Sequence, residues 1–106
     1  MAENTFMLVC NAGMSTSLLV SKMQKVAKEK GVDAEIFAVS TNEADNKIKN
    51  QTINAILLGP QVRFMKKQME DKVADKNIPV GVINMQDYGM VNGENVLNTA
   101  LELSGK

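Results

Sequence analysis

The sequence predicts a three-layer α/β fold in which a four-stranded parallel sheet is covered by helices on both faces. Short apolar segments alternate with longer amphipathic segments along the chain, as in successive βαβ crossovers. The strand segments are apolar at most positions, which is expected where both faces of a sheet are buried. We expect the strand order 2-1-3-4, the flavodoxin-like arrangement that small cysteine phosphatases resemble.

Each predicted element has a local reason in the sequence. The helical segments repeat apolar residues at intervals of three and four, with charged residues between them. Gly31 is suited to end the first helix, and Gly59-Pro60 ends the third strand sharply. In chain order we expect a strand at Phe6–Val9, a helix from Ser15 to about Lys30, a strand at Ala34–Val39, a helix capped by Thr41 or Asn42 that runs to about Lys49, a strand at Ile53–Leu58, a helix from Gln61 to about Val73, a strand at Pro79–Ile83 and a helix that follows Asn92 or Gly93.

Composition narrows the possible functions. The 106 residues suit one domain, residues 1–106, and the start at Met1 favours a free-standing protein. Twelve basic residues balance twelve acidic ones, so no net field favours nucleic acid or an acidic membrane surface. No run of eighteen apolar residues and no signal-peptide pattern is present, so we expect no membrane insertion.

The chain has one cysteine, Cys10, and no histidine. One cysteine cannot form an internal disulfide or a thiolate metal cluster, so we expect a cytoplasmic protein without a metal. The lack of histidine removes the commonest general base and metal ligand. Any proton transfer near neutral pH is therefore expected to use another group, and we expect no cofactor.

Cys10 follows the first predicted strand and precedes the start of the first helix. Backbone N–H groups at a helix start lack partners within the helix, and the helix dipole adds partial positive charge. The same features favour a thiolate. A thiolate beside such a nest of donors suggests phosphoryl transfer through phosphocysteine. The predicted phosphate-binding residues are Asn11, Ala12, Gly13, Met14, Ser15, Thr16 and Ser17.

Two plainer explanations exist for the same residues. A lone cysteine that ends a core strand is more often a small buried apolar residue. Serine and threonine favour helix starts whether or not they bind a ligand. The segment matches neither the G-x-x-x-x-G-K-[ST] nor the G-x-G-x-x-G pattern, so nucleotide binding has little support. The conjunction of thiol, small residues, hydroxyls and helix start favours the functional interpretation.

The segment after Cys10 also lacks the groups of a hydrolase. Cysteine phosphatases carry Cys-x5-Arg, whereas the sixth residue after Cys10 is Thr16. No basic or acidic residue stands between Cys10 and Ser21. A phosphocysteine here is expected to hydrolyse slowly, which suits a phosphoryl carrier. A low-molecular-weight cysteine phosphatase is the alternative. This chain lacks the second cysteine that a thiol reductase needs and the aspartate cluster of a receiver-like module.

The run Cys10-Asn-Ala-Gly-Met-Ser-Thr-Ser-Leu-Leu-Val-Ser-Lys-Met23, together with Leu57-Leu-Gly-Pro-Gln61, resembles the enzyme IIB component of the bacterial sugar phosphotransferase system, lactose/cellobiose (N,N'-diacetylchitobiose) class. The resemblance extends over nearly the whole chain. It implies a four-stranded parallel sheet flanked by helices. Asn11 stands where serine is expected in close relatives, and both residues are small and polar.

The resemblance implies that Cys10 accepts a phosphoryl group from a phosphohistidine of the IIA protein. The group then passes to a sugar that enters through the membrane transporter IIC. We expect a cytoplasmic monomer that serves cellobiose or a related β-disaccharide, although nothing in the sequence itself selects the sugar. Candidate rim or partner residues are Gly59, Pro60, Gln61 and Tyr88. Gln61 can equally be a helix-start residue, and Tyr88 can equally be a half-buried packing residue.

Overall fold

The computed structural model describes residues 4–10 and 14–105, which form a four-stranded parallel sheet with helices on both faces. The strand order is β2-β1-β3-β4, as predicted. All three neighbouring pairs are parallel. The strands are β1 (Asn4–Cys10), β2 (Ala34–Ser40), β3 (Ala55–Leu58) and β4 (Val80–Val82), and the helices are α1 (Met14–Lys30), α2 (Thr41–Asn50), α3 (Lys66–Lys72), α4 (Met85–Gly89) and α5 (Gly93–Leu103).

The two faces of the sheet carry separate apolar layers. Phe6 and Leu8 of β1 pack with residues of α1 and α5, whereas Met7 and Val9 pack with residues of α2 and α3. This division follows from the alternation of side chains along a strand. The same alternation directs Cys10 to the face that α1 and α5 cover. Thus the central strand is buried on both sides and carries the thiol at its carboxyl end.

The chain leaves β1 and β3 toward opposite faces of the sheet. β1 leads into α1 on one face, and β3 leads toward α3 on the other. The register pairs Leu8 with Leu57 and Val9 with Leu58, so the two strands end side by side. A crevice at the carboxyl ends of such strands is where open α/β sheets bind ligands.

The opposite, amino-terminal edge of the sheet holds the start of β1 and the end of α5. Asn54 is bonded to Thr5 twice at this edge: its N–H donates to the Thr5 carbonyl at 2.8 Å, and its Oδ1 accepts from the Thr5 N–H at 2.7 Å. Ser104 and Gly105 line a depression there together with Asn54 and Pro79. Both ends of the described chain therefore lie away from the carboxyl edge.

The predicted boundaries need small corrections at four elements. β1 extends from Asn4 to Cys10 and α1 begins at Met14, so both are longer than predicted. Helix α2 is capped by Ser40, not by Thr41 or Asn42, because Ser40 and Glu43 form a capping box. β3 begins at Ala55 because Asn54 uses its side chain as well as its backbone to bond Thr5.

The predicted α-helix from Gln61 to Val73 is wrong in its first part. Pro60–Met65 forms a 3₁₀ helix, and the α-helix begins only at Lys66. Val62 has non-helical angles (φ −120°, ψ 23°), and its N–H donates to the Gly59 carbonyl at 3.0 Å. Val62 is fully buried, so the tighter turn places this side chain in the core. Met69 in α3 and Val73 directly after it are also buried.

A short helix, α4, was not predicted between β4 and the last helix. Asn84 caps it, because the Asn84 Oδ1 accepts hydrogen bonds from the N–H groups of Gln86 (2.7 Å) and Asp87 (3.3 Å). The α4 helix spans only five residues, Met85–Gly89, which is too short to show an amphipathic repeat. Pro79 and Ile83, predicted to lie in β4, flank Val80–Val82 and still bond β3 through their backbones.

Helix α5 packs very closely on α1 at Gly93. A Cβ atom on Gly93 would lie 2.8 Å from the carbonyl carbon and the Cβ of Lys22, and 2.9 Å from the Met23 nitrogen. Two of these three atoms belong to the α1 backbone, which cannot rotate away as a side-chain end can. An ion pair of 3.2 Å between Lys30 and Glu94 supports the same contact. Glycine at position 93 therefore sets the distance between the two helices.

We predict that Gly93→Ala lowers the free energy of unfolding by about 2 kcal/mol, because α5 must move away from α1. Gly89→Ala is the matched control, since nothing lies within 4 Å of a Cβ atom at that position. The control is expected to change stability by less than about 1 kcal/mol. Urea denaturation of both variants measures the difference, and equal stabilities would contradict the close contact.

Candidate functional site

Cys10 lies at the carboxyl end of the central strand and is 1% exposed. Its neighbour across the sheet is Gly59, whose N–H donates to the Val9 carbonyl at 2.8 Å. A Cβ atom on Gly59 would lie 3.5 Å from the Cys10 Cβ. The ends of β1 and β3 thus meet at the thiol, as the strand order predicts.

The amino terminus of α1 stands after this strand end. The first N–H groups of any helix lack partners within the helix, and no acidic side chain is present in the first turn of α1. The turn therefore offers backbone donors and a favourable dipole to an anion. Asn11, Ala12 and Gly13 lie outside the described residues, as do the side chains of Met14 and Ser15. Their predicted role in phosphate binding stays a prediction.

Thr16 is fully buried, although its side chain is polar. Its Oγ1 lies 3.1 Å from the hydroxyl oxygen of Tyr88, a residue 72 positions later in the chain. Tyr88 is half-buried and also packs against the apolar layer of α1 and α5. Ser17, the next residue, is exposed. The structure therefore joins one predicted phosphate-loop residue to one predicted rim residue by a hydrogen bond.

The segment Gly59-Pro60-Gln61 flanks Cys10 from the end of β3. The Gln61 side chain folds back over this segment, and its Oε1 would be 2.9 Å from a Cβ atom on Gly59. Gln61 is exposed and stands at the start of the 3₁₀ helix, so it is a helix-start residue, and its role at the rim stays a prediction. Pro60 is half-buried beside it.

Comparison with known proteins shows the family. Residues 5–99 match the family described as PTS system, Lactose/Cellobiose specific IIB subunit. The chain belongs to this family. Its relatives include the galactose-specific EIIB component of Lactococcus lactis subsp. cremoris, 51% identical over 106 residues, covering 97% of this chain and 98% of the relative. The cellobiose-specific EIIB component of Lactococcus lactis subsp. lactis is 50% identical, with the same coverage.

A third relative and one solved structure agree with this family, and a second solved structure shares its fold. The oligo-beta-mannoside-specific EIIB component of Bacillus subtilis is 41% identical over 97 residues, covering 92% of each chain. The cellobiose-specific IIB protein of Borrelia burgdorferi has a TM-score of 0.77 at 40% identity, covering 96% of this chain and 92% of that one. The lactose-specific IIB domain of Streptococcus pneumoniae has a TM-score of 0.84 at 16% identity, covering 95% and 97%, and so shares the fold.

This IIB family member has a groove beside Tyr88 that was not predicted from the sequence. The groove has a volume of about 640 Å³. Phe64 and Met85 stand in it as unusually exposed apolar side chains, 75% and 69% accessible. Phe64 falls outside the apolar stripe of its helix, which is the signal that could have identified it. The groove is lined by Pro60, Gln61, Arg63, Phe64, Met85, Tyr88 and Gly89.

Two kinds of site are absent from the described part of this IIB chain. Among residues 4–10 and 14–105, no cluster of three cysteine or carboxylate side chains could hold a metal ion. Within the same ranges, no helix combines the length and apolarity that crossing a bilayer demands. The candidate site described above therefore consists of a thiol, backbone donors, hydroxyls and an apolar rim.

Proposed function

We propose that this IIB subunit is a phosphoryl carrier in which Cys10 is the nucleophile. The Cys10 sulfur attacks the phosphorus of a phosphohistidine on the IIA protein, so an S–P bond forms while the N–P bond breaks. A sugar hydroxyl oxygen then attacks the same phosphorus, and the S–P bond breaks to return the thiolate. This chain contains no histidine to act as a general base, so we propose that the proton of the sugar hydroxyl goes to a base outside the chain.

The observation that carries the proposal is the position of Cys10. The thiol stands at the carboxyl end of the central strand, beside Gly59 and before the amino terminus of α1. Backbone N–H groups and the helix dipole at such a terminus stabilise a phosphate dianion without a fixed cation. The proposed phosphate-binding residues are those predicted from the sequence, Asn11 to Ser17.

The surroundings of Cys10 favour a carrier over a phosphatase. Hydrolysis of phosphocysteine needs a water molecule, a group that activates it and stabilisation of the developing charge. Cys10 is 1% exposed, and no charged residue stands between Cys10 and Ser21. The segment that follows the thiol therefore supplies no acid or base to activate water, so hydrolysis is expected to be slow. The phosphoryl group is thereby kept for the sugar.

The partners we propose are a IIA protein as donor and a IIC transporter as the site of sugar phosphorylation. We propose that the carrier works in the cytoplasm as a monomer and as one domain. Cellobiose or a related β-disaccharide is the proposed sugar. Relatives at 51% and 50% identity are named for galactose and cellobiose, so overall identity does not separate the sugars. No metal, nucleotide or cofactor enters the proposal.

We propose that IIA docks on the groove of Phe64, Met85 and Tyr88. These residues lie at the same edge of the sheet as Cys10. Tyr88 in the groove contacts Thr16, and Gln61 in the groove follows Gly59, which lies beside Cys10. Exposed phenylalanine and methionine side chains gain free energy when a partner covers them. Methionine adapts to irregular surfaces, which suits a carrier that meets two partners.

We predict that Cys10 is the only labelled residue when phosphoenolpyruvate, the general phosphotransferase proteins and a cognate IIA are supplied. Mass spectrometry of the intact chain should show one phosphoryl group on the parent and none on Cys10→Ser. Circular dichroism of the variant controls for folding. Label on Cys10→Ser, or no label on the parent, would contradict the proposal. Rapid hydrolysis of an aryl phosphate by the parent alone would support the phosphatase alternative.

We predict that Met85→Ala raises the half-saturating concentration of phospho-IIA about tenfold, because a partner then covers less apolar surface. Met90→Ala is the matched control, since Met90 is 67% exposed but does not line the groove. The limiting rate of transfer should stay unchanged in both variants. Rapid-quench measurements at several IIA concentrations give both quantities. Equal effects of the two substitutions would contradict docking on the groove.

A further inference from the structure

We propose that Tyr88 is a positioning residue for phosphoryl transfer: its hydroxyl holds Thr16, and thereby the donors at the amino terminus of α1, in place beside Cys10. This inference rests on the proposed carrier function. It concerns a residue that acts through its contact with Thr16. Four features of the structure support it.

The first feature is the hydrogen bond that a fully buried threonine makes with Tyr88. Thr16 is fully buried, and its Oγ1 is 3.1 Å from the Tyr88 hydroxyl. Threonine in a helix usually bonds a nearby carbonyl or water, whereas this hydroxyl reaches a side chain 72 positions away. Removal of the Tyr88 hydroxyl takes this partner from the buried Thr16 hydroxyl, which is unfavourable. The pair therefore favours one placement of the first turn of α1.

The second feature is the place of Thr16 in the helix. Thr16 is the third residue of α1, in the turn whose N–H groups have no acceptor within the helix. These groups are the donors proposed to stabilise the phosphoryl group. Donors assist transfer only when they point at the place where charge develops, and a small displacement reduces that effect. A contact that fixes Thr16 therefore acts on the reaction without touching the reacting atoms.

The third feature is the anchoring of Tyr88 itself. Helix α4 is held at its start by Asn84, which accepts from the N–H groups of Gln86 and Asp87. After α4, the Asn92 N–H donates to the Asp87 carbonyl at 2.8 Å, so the following turn closes back on the helix. Tyr88 stands between these two fixed points. The backbone of Tyr88 is therefore held in place, and its hydroxyl stays within reach of Thr16.

The fourth feature is a second contact of the same segment with α1. Gly93 packs against Lys22 and Met23, and Met23 lies seven positions, or about two helical turns, after Thr16. Residues 88–93 thus touch α1 at two places on one face. Between them Val91 has φ 52°, in the left-handed region that β-branched residues rarely adopt. The surrounding contacts specify this unusual turn, so residues 88–93 hold the start of α1 in one position.

The test uses four variants of the full chain and a control. Tyr88→Phe keeps the ring and loses only the hydroxyl, and Thr16→Val loses the other hydroxyl at similar volume. The double variant removes both, and Thr16→Ser keeps a hydroxyl at position 16. Thr99→Val is the matched control, because the Thr99 hydroxyl donates to the Asn95 carbonyl at 2.9 Å on α5, outside residues 88–93. Urea denaturation confirms that each protein is folded under the assay conditions.

Single-turnover transfer from phospho-IIA is measured over a range of IIA concentrations. We expect Tyr88→Phe and Thr16→Val each to lower the limiting rate about fivefold, the effect of one lost hydrogen bond. The half-saturating concentration should change by less than about twofold, since the groove keeps its shape. The double variant should be no slower than either single variant, because both act through one contact. Thr99→Val should transfer at the parental rate, and Thr16→Ser, which keeps a hydroxyl, should transfer faster than Thr16→Val.

Three results would overturn the inference while leaving the carrier function intact. They are an unchanged rate in Tyr88→Phe, a double variant that is slower by the product of the two single effects, and a change confined to the half-saturating concentration. The second result would mean that Thr16 acts on the phosphoryl group independently of Tyr88. A parent that takes no phosphate would instead overturn the proposed function, and the positioning role with it.

Discussion

The parallel pairing of β1 with β3 is the constraint on which the site depends. The register that aligns Val9 with Leu58 brings Cys10 beside Gly59. A slip of one residue would move Phe6 and Leu8 to the other face of the sheet and turn Cys10 away from α1. Because both faces of β1 are buried, such a slip would misplace two apolar layers at once. The packing that stabilises the sheet therefore also determines the direction of the thiol.

The fold could be predicted from the sequence wherever a pattern extended over several turns or a whole strand. The alternation of strands and amphipathic helices determines the topology, because parallel strands joined by right-handed crossovers have few possible arrangements. The failures lie where local chemistry competes with the repeat. At Pro60–Met65 the apolar spacing resembles an α-helix, yet the buried Val62 and its bond to Gly59 produce a 3₁₀ helix. Helix α4 is only five residues long, so its capping residue, Asn84, was the one available signal.

The candidate site was predictable in part, for a similar reason. The adjacency of Cys10 and Gly59 follows from strand order alone, since parallel strands end at one edge. The contact between Thr16 and Tyr88 joins residues 72 positions apart, and no periodicity specifies the partner of a buried hydroxyl. The groove was missed because the exposure of Phe64 and Met85 depends on how the 3₁₀ helix and α4 face each other. Tertiary packing, not composition, makes those side chains accessible.

The amino-terminal edge of the sheet has a consequence for joining this chain to others. β1 contains seven residues, so its first residue, Asn4, lies about 20 Å from Cys10 along the strand. Ser104 and Gly105 lie at the same remote edge, beside Asn54 and Pro79. A linker attached at either end of the described chain would emerge there. A fused domain or a fluorescent reporter would thus lie at the edge remote from Cys10 and would not block a partner that approaches the carboxyl edge.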